Sequence, residues 1–291
     1  MQIAVHLGVH LTDENKLVRC LMRNRALLAE QGIAVPDPGS YFPRLRDIAK
    51  DMRFEPTNGE TQEALLDGLL EDDDVSRVVL STEKFLSGHQ WVVTKDRLYS
   101  DAGVRLAQLR HLFPEAEFQI YLAIRDPASF LPALAADKRA GGVETALKSV
   151  DPITVRWSEL LIRIRASVPD AMITVWREED TALLWPEILR AVSGHDAGTE
   201  LDGWFAWYWD KVTPKNHEAM RRYFGSSPIL DDSHRRAVLE TMLDKFARPI
   251  TESDDPQLPG WTVEYTDVLS ELYEQDVDLI SAMPGIELLE P

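Results

Sequence analysis

Near the start of the chain, Gly8-Val9-His10-Leu11-Thr12-Asp13-Glu14-Asn15-Lys16 gathers hydroxyl, imidazole, amide, ammonium and carboxylate groups. A short apolar run precedes this loop and a helical pattern follows it. A helix that begins there offers free N–H groups and a positive dipole end, which suits phosphate. The loop is not a Walker A sequence, because it has no second glycine and no Gly-Lys-Ser/Thr. Three uses of it compete. Thr12 can serve as an N-cap, with Asp13 and Glu14 complementing the dipole, so that the chain's own side chains neutralise the helix end. Lys16 or Arg19 can fold over a retained phosphate site. A metal can bridge Asp13 or Glu14 to a ligand.

Other residues have the chemistry for a site at the same mouth. Glu83 follows the strand-like Arg77–Ser81 and is a candidate general base. Ser81-Thr82 could instead make it an acidic helix start. His10 in the loop is a second catalytic candidate. His89, after Gly88, reads as a mouth residue or a surface histidine, and His6 as a core or rim histidine. Arg125 stands at a strand end before Pro127, either as a bidentate phosphate fork or as a structural ion-pair partner. Lys138-Arg139 reads as basic surface or as a solvated helix end. Trp204-Phe205-Ala206-Trp207-Tyr208-Trp209 could stack on a sugar, seal a helical tail, or form a subunit interface.

The elements that must position these groups follow from periodicity. Gln2–Leu7 is an apolar strand of the kind buried on both faces. Asp13–Gln31 is helical and ends at Gly32, a C-terminal cap. Ile33–Val35 is a second strand, completing a βαβ unit with a right-handed crossover. Residues 37–75 read as peripheral, with a helix over Glu60–Leu70 and an acidic surface run Glu71–Asp74. Strands are expected at Arg77–Ser81, Phe118–Ile124 and Met172–Trp176. Helices are expected over Ala102–Phe113, about 128–140, 154–167 and around Trp185–Val192. After about residue 200 the strand signal stops. Helices near 215–223, 232–247 and 262–282 are joined by segments such as Glu252–Gly260, and Asp231-Asp232 mark a helix start. Alternating strands and helices predict an α/β fold of three layers, α/β/α, around a mostly parallel sheet. The expected division is a core over 1–200 and a helical extension over 201–291 packed on it.

Composition narrows the classes. Of 291 residues, 44% are hydrophobic, enough for a substantial core. The formal charge is −18. A field of that sign disfavours nucleic acid and anionic membrane surfaces as partners. One cysteine, Cys20, excludes an intrachain disulfide and a cysteine-based metal site. No apolar run is long enough to span a membrane, and no export signal opens the chain, so a cytoplasmic location is expected.

The order of several segments resembles bacterial sulfotransferases. His6-Leu7-Gly8, Thr12, Leu17, Asn24-Arg25, Leu28, Gly32-Ile33 and Pro36 follow that family's opening, His-x-Gly-x-x-Lys-Thr-Gly-Thr-Thr, then Asn-Arg, Gly-Ile and Pro. Ser81-Thr82-Glu83 matches its Ser-x-Glu. Arg125 with Phe130-Leu131 matches its segment for the donor's 3′-phosphate. Ile173–Asp180 with Trp185–Gly194 matches a later strand, acidic turn and helix. The resemblance spans roughly residues 2–195. It implies a P-loop-like fold and sulfuryl transfer from 3′-phosphoadenosine-5′-phosphosulfate to a hydroxyl or amine of a small-molecule or saccharide acceptor. No metal is expected, since no second cluster of ligands is visible in the sequence beside Asp13 and Glu14. The resemblance points to Thr12 and Arg125 for the donor and to Glu83 as the base; by their place at the same mouth, Gly8, Asn15, Lys16 and Ser129 are further donor candidates and His10 a further catalytic one.

The departures fall on the donor loop. Leu11 stands at the family's lysine, Asp13 at its glycine, and Glu14 and Asn15 at its two threonines; Ala133 stands at the usual serine, with Ser129 one turn earlier. A carboxylate about 4 Å from a phosphate, at an effective dielectric near 20, is repelled by roughly 4 kcal/mol. The absent lysine removes a bond worth about 1.5–3 kcal/mol. Donor binding is therefore expected to be weaker by about three orders of magnitude. The expected alternative is a non-catalytic binding or regulatory protein on the same scaffold. A nucleotide phosphotransferase is more distant, for want of a Walker A lysine and a magnesium pattern.

Overall fold

The structure, a computed structural model, describes residues 1–51, 56–70, 74–94, 97–142, 147, 150–226, 231–248 and 258–291. Six strands form one sheet: β1 (Gln2–His6), β2 (Ile33–Ala34), β3 (Arg77–Ser81), β6 (Glu117–Ile124), β7 (Met172–Arg177) and β8 (Ile286–Leu289). Their order is β2-β3-β1-β6-β7-β8, and every neighbouring pair is parallel. A small antiparallel hairpin, β4 (Val93–Thr94) with β5 (Arg97–Leu98), stands apart.

Parallel strands need both faces covered, and side-chain alternation supplies two apolar faces here. Ile3, Val5, Ile120, Leu122 and Val175 point into one core, while Ala4, Val79, Tyr121, Ala123 and Trp176 point into the other. The first core is covered by α3 (Pro38–Asp51), α4 (Gly59–Asp67), α5 (Ala102–Leu112), α6 (Pro127–Ala136), α7 (Trp157–Ser167) and α11 (Val263–Ser281). The second is covered by α1 (Lys16–Arg23), α2 (Arg25–Ala29), α8 (Thr181–Ser193), α9 (His217–Ser226) and α10 (Asp232–Phe246). The molecule is thus a three-layer α/β/α fold. No helix among the described residues is long and apolar enough to cross a membrane.

Three expectations are corrected. The stretch after residue 200 is not wholly helical: β8 pairs with β7 from Ile173↔Ile286 to Trp176↔Leu289. Pro284 and Gly285, the latter at φ 78°, turn the chain into it. The tail also brackets the sheet, with α11 on one face and α9 and α10 on the other. Residues 37–75 are not merely peripheral. The Tyr41 ring of α3 is buried, and its hydroxyl accepts from Ser81 N at 2.7 Å and donates to Ser81 O at 3.2 Å. Finally, the helix expected over 13–31 is two helices. Asn24 breaks it because its amide donates to Cys20 O (2.8 Å) and Asp202 O (2.9 Å) while its oxygen accepts from Asp202 N (2.7 Å). Most of the acidic run Glu71–Asp74 and of the segment Glu252–Gly260 lies outside the described residues.

The aromatic run is a tail seal. Trp204, Trp207 and Tyr208 are buried. Trp207 stacks on Trp185 of α8 at 5.6 Å, and Trp185 Nε1 donates to Trp204 O at 2.9 Å. Phe205 and Trp209 are half-buried.

Candidate functional site

In an open parallel sheet, ligands sit outside the carboxyl ends of strands where the chain leaves neighbouring strands in opposite directions. Here that place lies between β1, whose chain returns at β2 on one side, and β6, whose chain returns at β7 on the other. The loops that follow these two strands carry most of the sequence candidates.

The first loop is tightly bent. Gly8 has φ 86°, and a Cβ there would lie 3.4 Å from Glu83 Cβ, so glycine lets the loop pass close to the end of β3. Leu11, Glu14 and Asn15 also adopt positive φ, at 63°, 52° and 62°. Such backbone costs of order 1–3 kcal/mol per residue and persists only when neighbours hold it. Arg125 is one such neighbour. Its Nη1 donates to Leu11 O at 2.8 Å and its Nε to Ser129 Oγ at 3.0 Å. The two residues expected to share a phosphate therefore bond each other, and the guanidinium ties the β6 loop to the β1 loop.

The start of α1 is similarly engaged. Thr12 is not the N-cap; its hydroxyl donates to Val9 O at 2.7 Å. Asn15 occupies the cap position but makes no capping bond with its side chain. Asp13 caps instead, accepting from Leu17 N at 3.0 Å. A carboxylate reaching back over the first turn satisfies an orphan donor and meets the positive dipole end, the place a bound anion would take. Lys16 turns away to Asp210, 2.7 Å from Oδ2. Replacing Asp13 with alanine is expected to cost about 1 kcal/mol in urea unfolding, the usual worth of such a cap. An unchanged midpoint would show that the carboxylate contributes nothing to α1.

Next to this loop stands a chain of carboxylates and imidazoles. His89 Nε2 lies 2.9 Å from Glu83 Oε1, and His89 Nδ1 lies 2.9 Å from Asp137 Oδ2, the latter an ion-pair contact without hydrogen-bond alignment. His10 is fully buried, its ring edge-on to His89 with centroids 4.5 Å apart. Its Nδ1 is 3.1 Å from the Tyr99 hydroxyl, and its Nε2 has no partner. Burial, with His89 and Arg139 adding to it, drives the His10 imidazole down to about 3, so it is neutral at ordinary pH. Burial pushes the Glu83 carboxyl up, against the pull of His89 and Arg139. Burial opposes ionisation of Asp137, yet hydrogen bonds from Arg139 hold its carboxyl below the usual range. Both catalytic candidates, Glu83 and His10, thus belong to this cluster, and His89 joins them at the mouth.

His6 sits beneath the loop, buried, with Nδ1 2.8 Å from Ser81 Oγ and its ring stacked on Trp176. Sequence reasoning missed Tyr99, Asp137 and Glu178. Glu178 follows β7 and bonds Thr181 Oγ1 at 3.1 Å. Burial lifts its carboxyl to about 7 despite Lys211 and Arg125 nearby, and Asp13 adds to the rise. The signal that could have found it is its position just past a core strand, the same signal that singled out Glu83 and Arg125.

His10, Glu83 and His89 are the described residues whose arrangement could hold a metal ion: one ligand atom from each lies within 4.8 Å of the others. No protein-family model, no curated protein and no solved structure matches the chain.

Proposed function

We propose that the chain is a binding or regulatory protein on a sulfotransferase-like scaffold, its nucleotide-sulfate donor site closed by its own side chains. One observation carries the reading. Arg125 spends its guanidinium on Leu11 O and Ser129 Oγ, while Asp13 occupies the α1 terminus. A 3′-phosphate would have to displace both bonds of Arg125, and a sulfonate would have to approach a carboxylate without the lysine that would offset it. The strand order supports the scaffold reading, because it puts the β1 loop at the sheet's switch point.

The test is thermal unfolding with adenosine 3′,5′-bisphosphate. No rise in melting temperature is expected at millimolar nucleotide. A rise that disappears in Arg125→Ala would overturn the reading. Leu11→Lys combined with Asp13→Gly and Glu14→Thr should create binding; a folded triple variant that still ignores the nucleotide would sink the electrostatic explanation.

A second reading, sulfuryl transfer, is favoured by the Glu83–His89–Asp137 chain at the same mouth. In it Glu83 takes the proton of an acceptor hydroxyl, whose oxygen attacks sulfur as the bridging bond to the nucleotide breaks. Release of adenosine 3′,5′-bisphosphate from the donor in the presence of a hydroxyl or amine acceptor, lost in Glu83→Gln, would establish this reading and displace the first.

A further inference from the structure

The side chains of His10, Glu83 and His89 take no part in the Arg125 and Asp13 bonds that close the donor loop, and their geometry suits a different ligand. His10 is 0% exposed, yet its Nε2 has no hydrogen-bond partner. Buried polar atoms are nearly always satisfied, and one left open is costly. The opposite side of the ring is fixed: Tyr99 Oη lies 3.1 Å from Nδ1 and also accepts from the His10 backbone N–H at 3.2 Å. If Nδ1 carries the proton and donates it to Tyr99, the lone pair of Nε2 is left free. His89 has Asp137 Oδ2 at 2.9 Å from Nδ1, close but out of hydrogen-bond alignment, and its Nε2 is turned to Glu83. Asp137 is itself held by Arg139, whose backbone N–H and Nε donate to Oδ1 at 2.9 and 3.0 Å. A phenol and a carboxylate beside the far nitrogens stand where metal-binding histidines keep their outer partners.

We propose that His10, Glu83 and His89 bind a divalent transition-metal ion, Zn2+ being the ion that best suits two imidazoles and one carboxylate. Ligand atoms around tetrahedral zinc, with bonds of about 2.0–2.1 Å, stand about 3.3 Å apart. The three atoms here already lie within 4.8 Å of one another, so closing the site takes a shift of at most about 1.5 Å. Zinc replaces the 2.9 Å contact between His89 Nε2 and Glu83 Oε1 with two metal bonds, and it gives His10 Nε2 its missing partner. Three protein ligands leave a fourth position for water or an anionic oxygen ligand. The inference goes beyond the closed-donor reading and rests on none of its contacts.

The test uses the full chain, stripped with a chelator and titrated with Zn2+ by calorimetry, with no nucleotide present. One equivalent is expected to bind with a dissociation constant below about 1 µM. Co2+ should give the intense visible absorption of a four- or five-coordinate site. Glu83→Gln and His89→Ala, which change half-buried residues at the rim, should each weaken zinc at least about 100-fold, and Asp137→Asn should weaken it about 10–100-fold. His111→Ala should leave affinity unchanged. Circular dichroism confirms that each variant is folded. Absence of stoichiometric binding overturns the proposal, and so does tight binding that survives His89→Ala. Either failure leaves the donor reading standing, since that reading is decided by the nucleotide.

Discussion

Asp276→Ala is expected to lower the unfolding free energy by about 3 kcal/mol, with a matching drop in the urea midpoint. Asp276 lies on α11 and is 2% exposed. Its carboxylate accepts from Trp157 N at 2.7 Å and Ser158 N at 3.1 Å, and it also bonds the Ser158 hydroxyl. It is therefore the cap of α7, supplied from more than a hundred residues away. Bonds to a charged acceptor contribute about 1.5–3 kcal/mol each, and the three are not additive because they share one group. Alanine would strand two helix-end donors beside the buried Trp157. Asp276→Asn keeps an acceptor and should recover part of the loss. A change below about 1 kcal/mol for the alanine variant would mean that water or a neighbour satisfies α7.

Glu178→Gln is expected to remove a pH dependence. With its folded carboxyl raised to about 7, against 4.5 as an ordinary glutamate, the native state holds a proton that the unfolded chain gives up. Stability contributed by this residue is thus highest below pH 4.5, declines as pH rises toward 7, and is flat above that. A displacement of this size corresponds to about 3 kcal/mol, and relaxation of a partly buried group brings the expected loss nearer 2 kcal/mol. Burial sets the direction: it outweighs Lys211, Thr181 and Arg125, which favour the charged form, and Asp13 adds to the rise. The glutamine variant should be more stable than the natural protein at pH 8 and show a flatter profile between pH 5 and 7 in urea unfolding. Parallel profiles for the two proteins would show that Glu178 ionises normally.

Several elements were legible in the sequence because their signals are local. β1, β3, β6 and β7 are continuous apolar runs ending at polar or glycine residues, the pattern of strands buried on both faces. β8 was not legible, since its four residues are half-exposed or exposed and take their identity from β7. α3 was hidden by Pro38, Gly39 and Pro43, which punctuate a segment whose helicity rests on burial of Tyr41 and Leu45. The break at Asn24 depends on Asp202, 178 positions away. The site divides in the same manner. Arg125 stands out because it directly follows a strand, and Glu83 because it lies just past one, after Thr82. Tyr99 meets His10 across 89 positions, and no spacing rule reaches that far. Glu178 was obscured by Glu179 and Asp180, beside which it reads as one more surface charge. The loop before α1 gave the right residue types with the wrong assignment, Asp13 and not Thr12 doing the capping, because which oxygen reaches the amides depends on the positive-φ turn.

The sheet's outer edge has a consequence for the order of assembly. Ile173 meets Ile286 across 113 positions of sequence, and Asp276 reaches α7 over a comparable span. Closing loops of that length costs chain entropy before any contact rewards it. The pairs β2–β3, joined at Ile33 and Arg77, and β6–β7, joined at Gln119 and Met172, close much shorter loops and can zip early. The β8 rim and the central β1–β6 seam, where Gln2 faces Glu117, both wait for a remote segment to return.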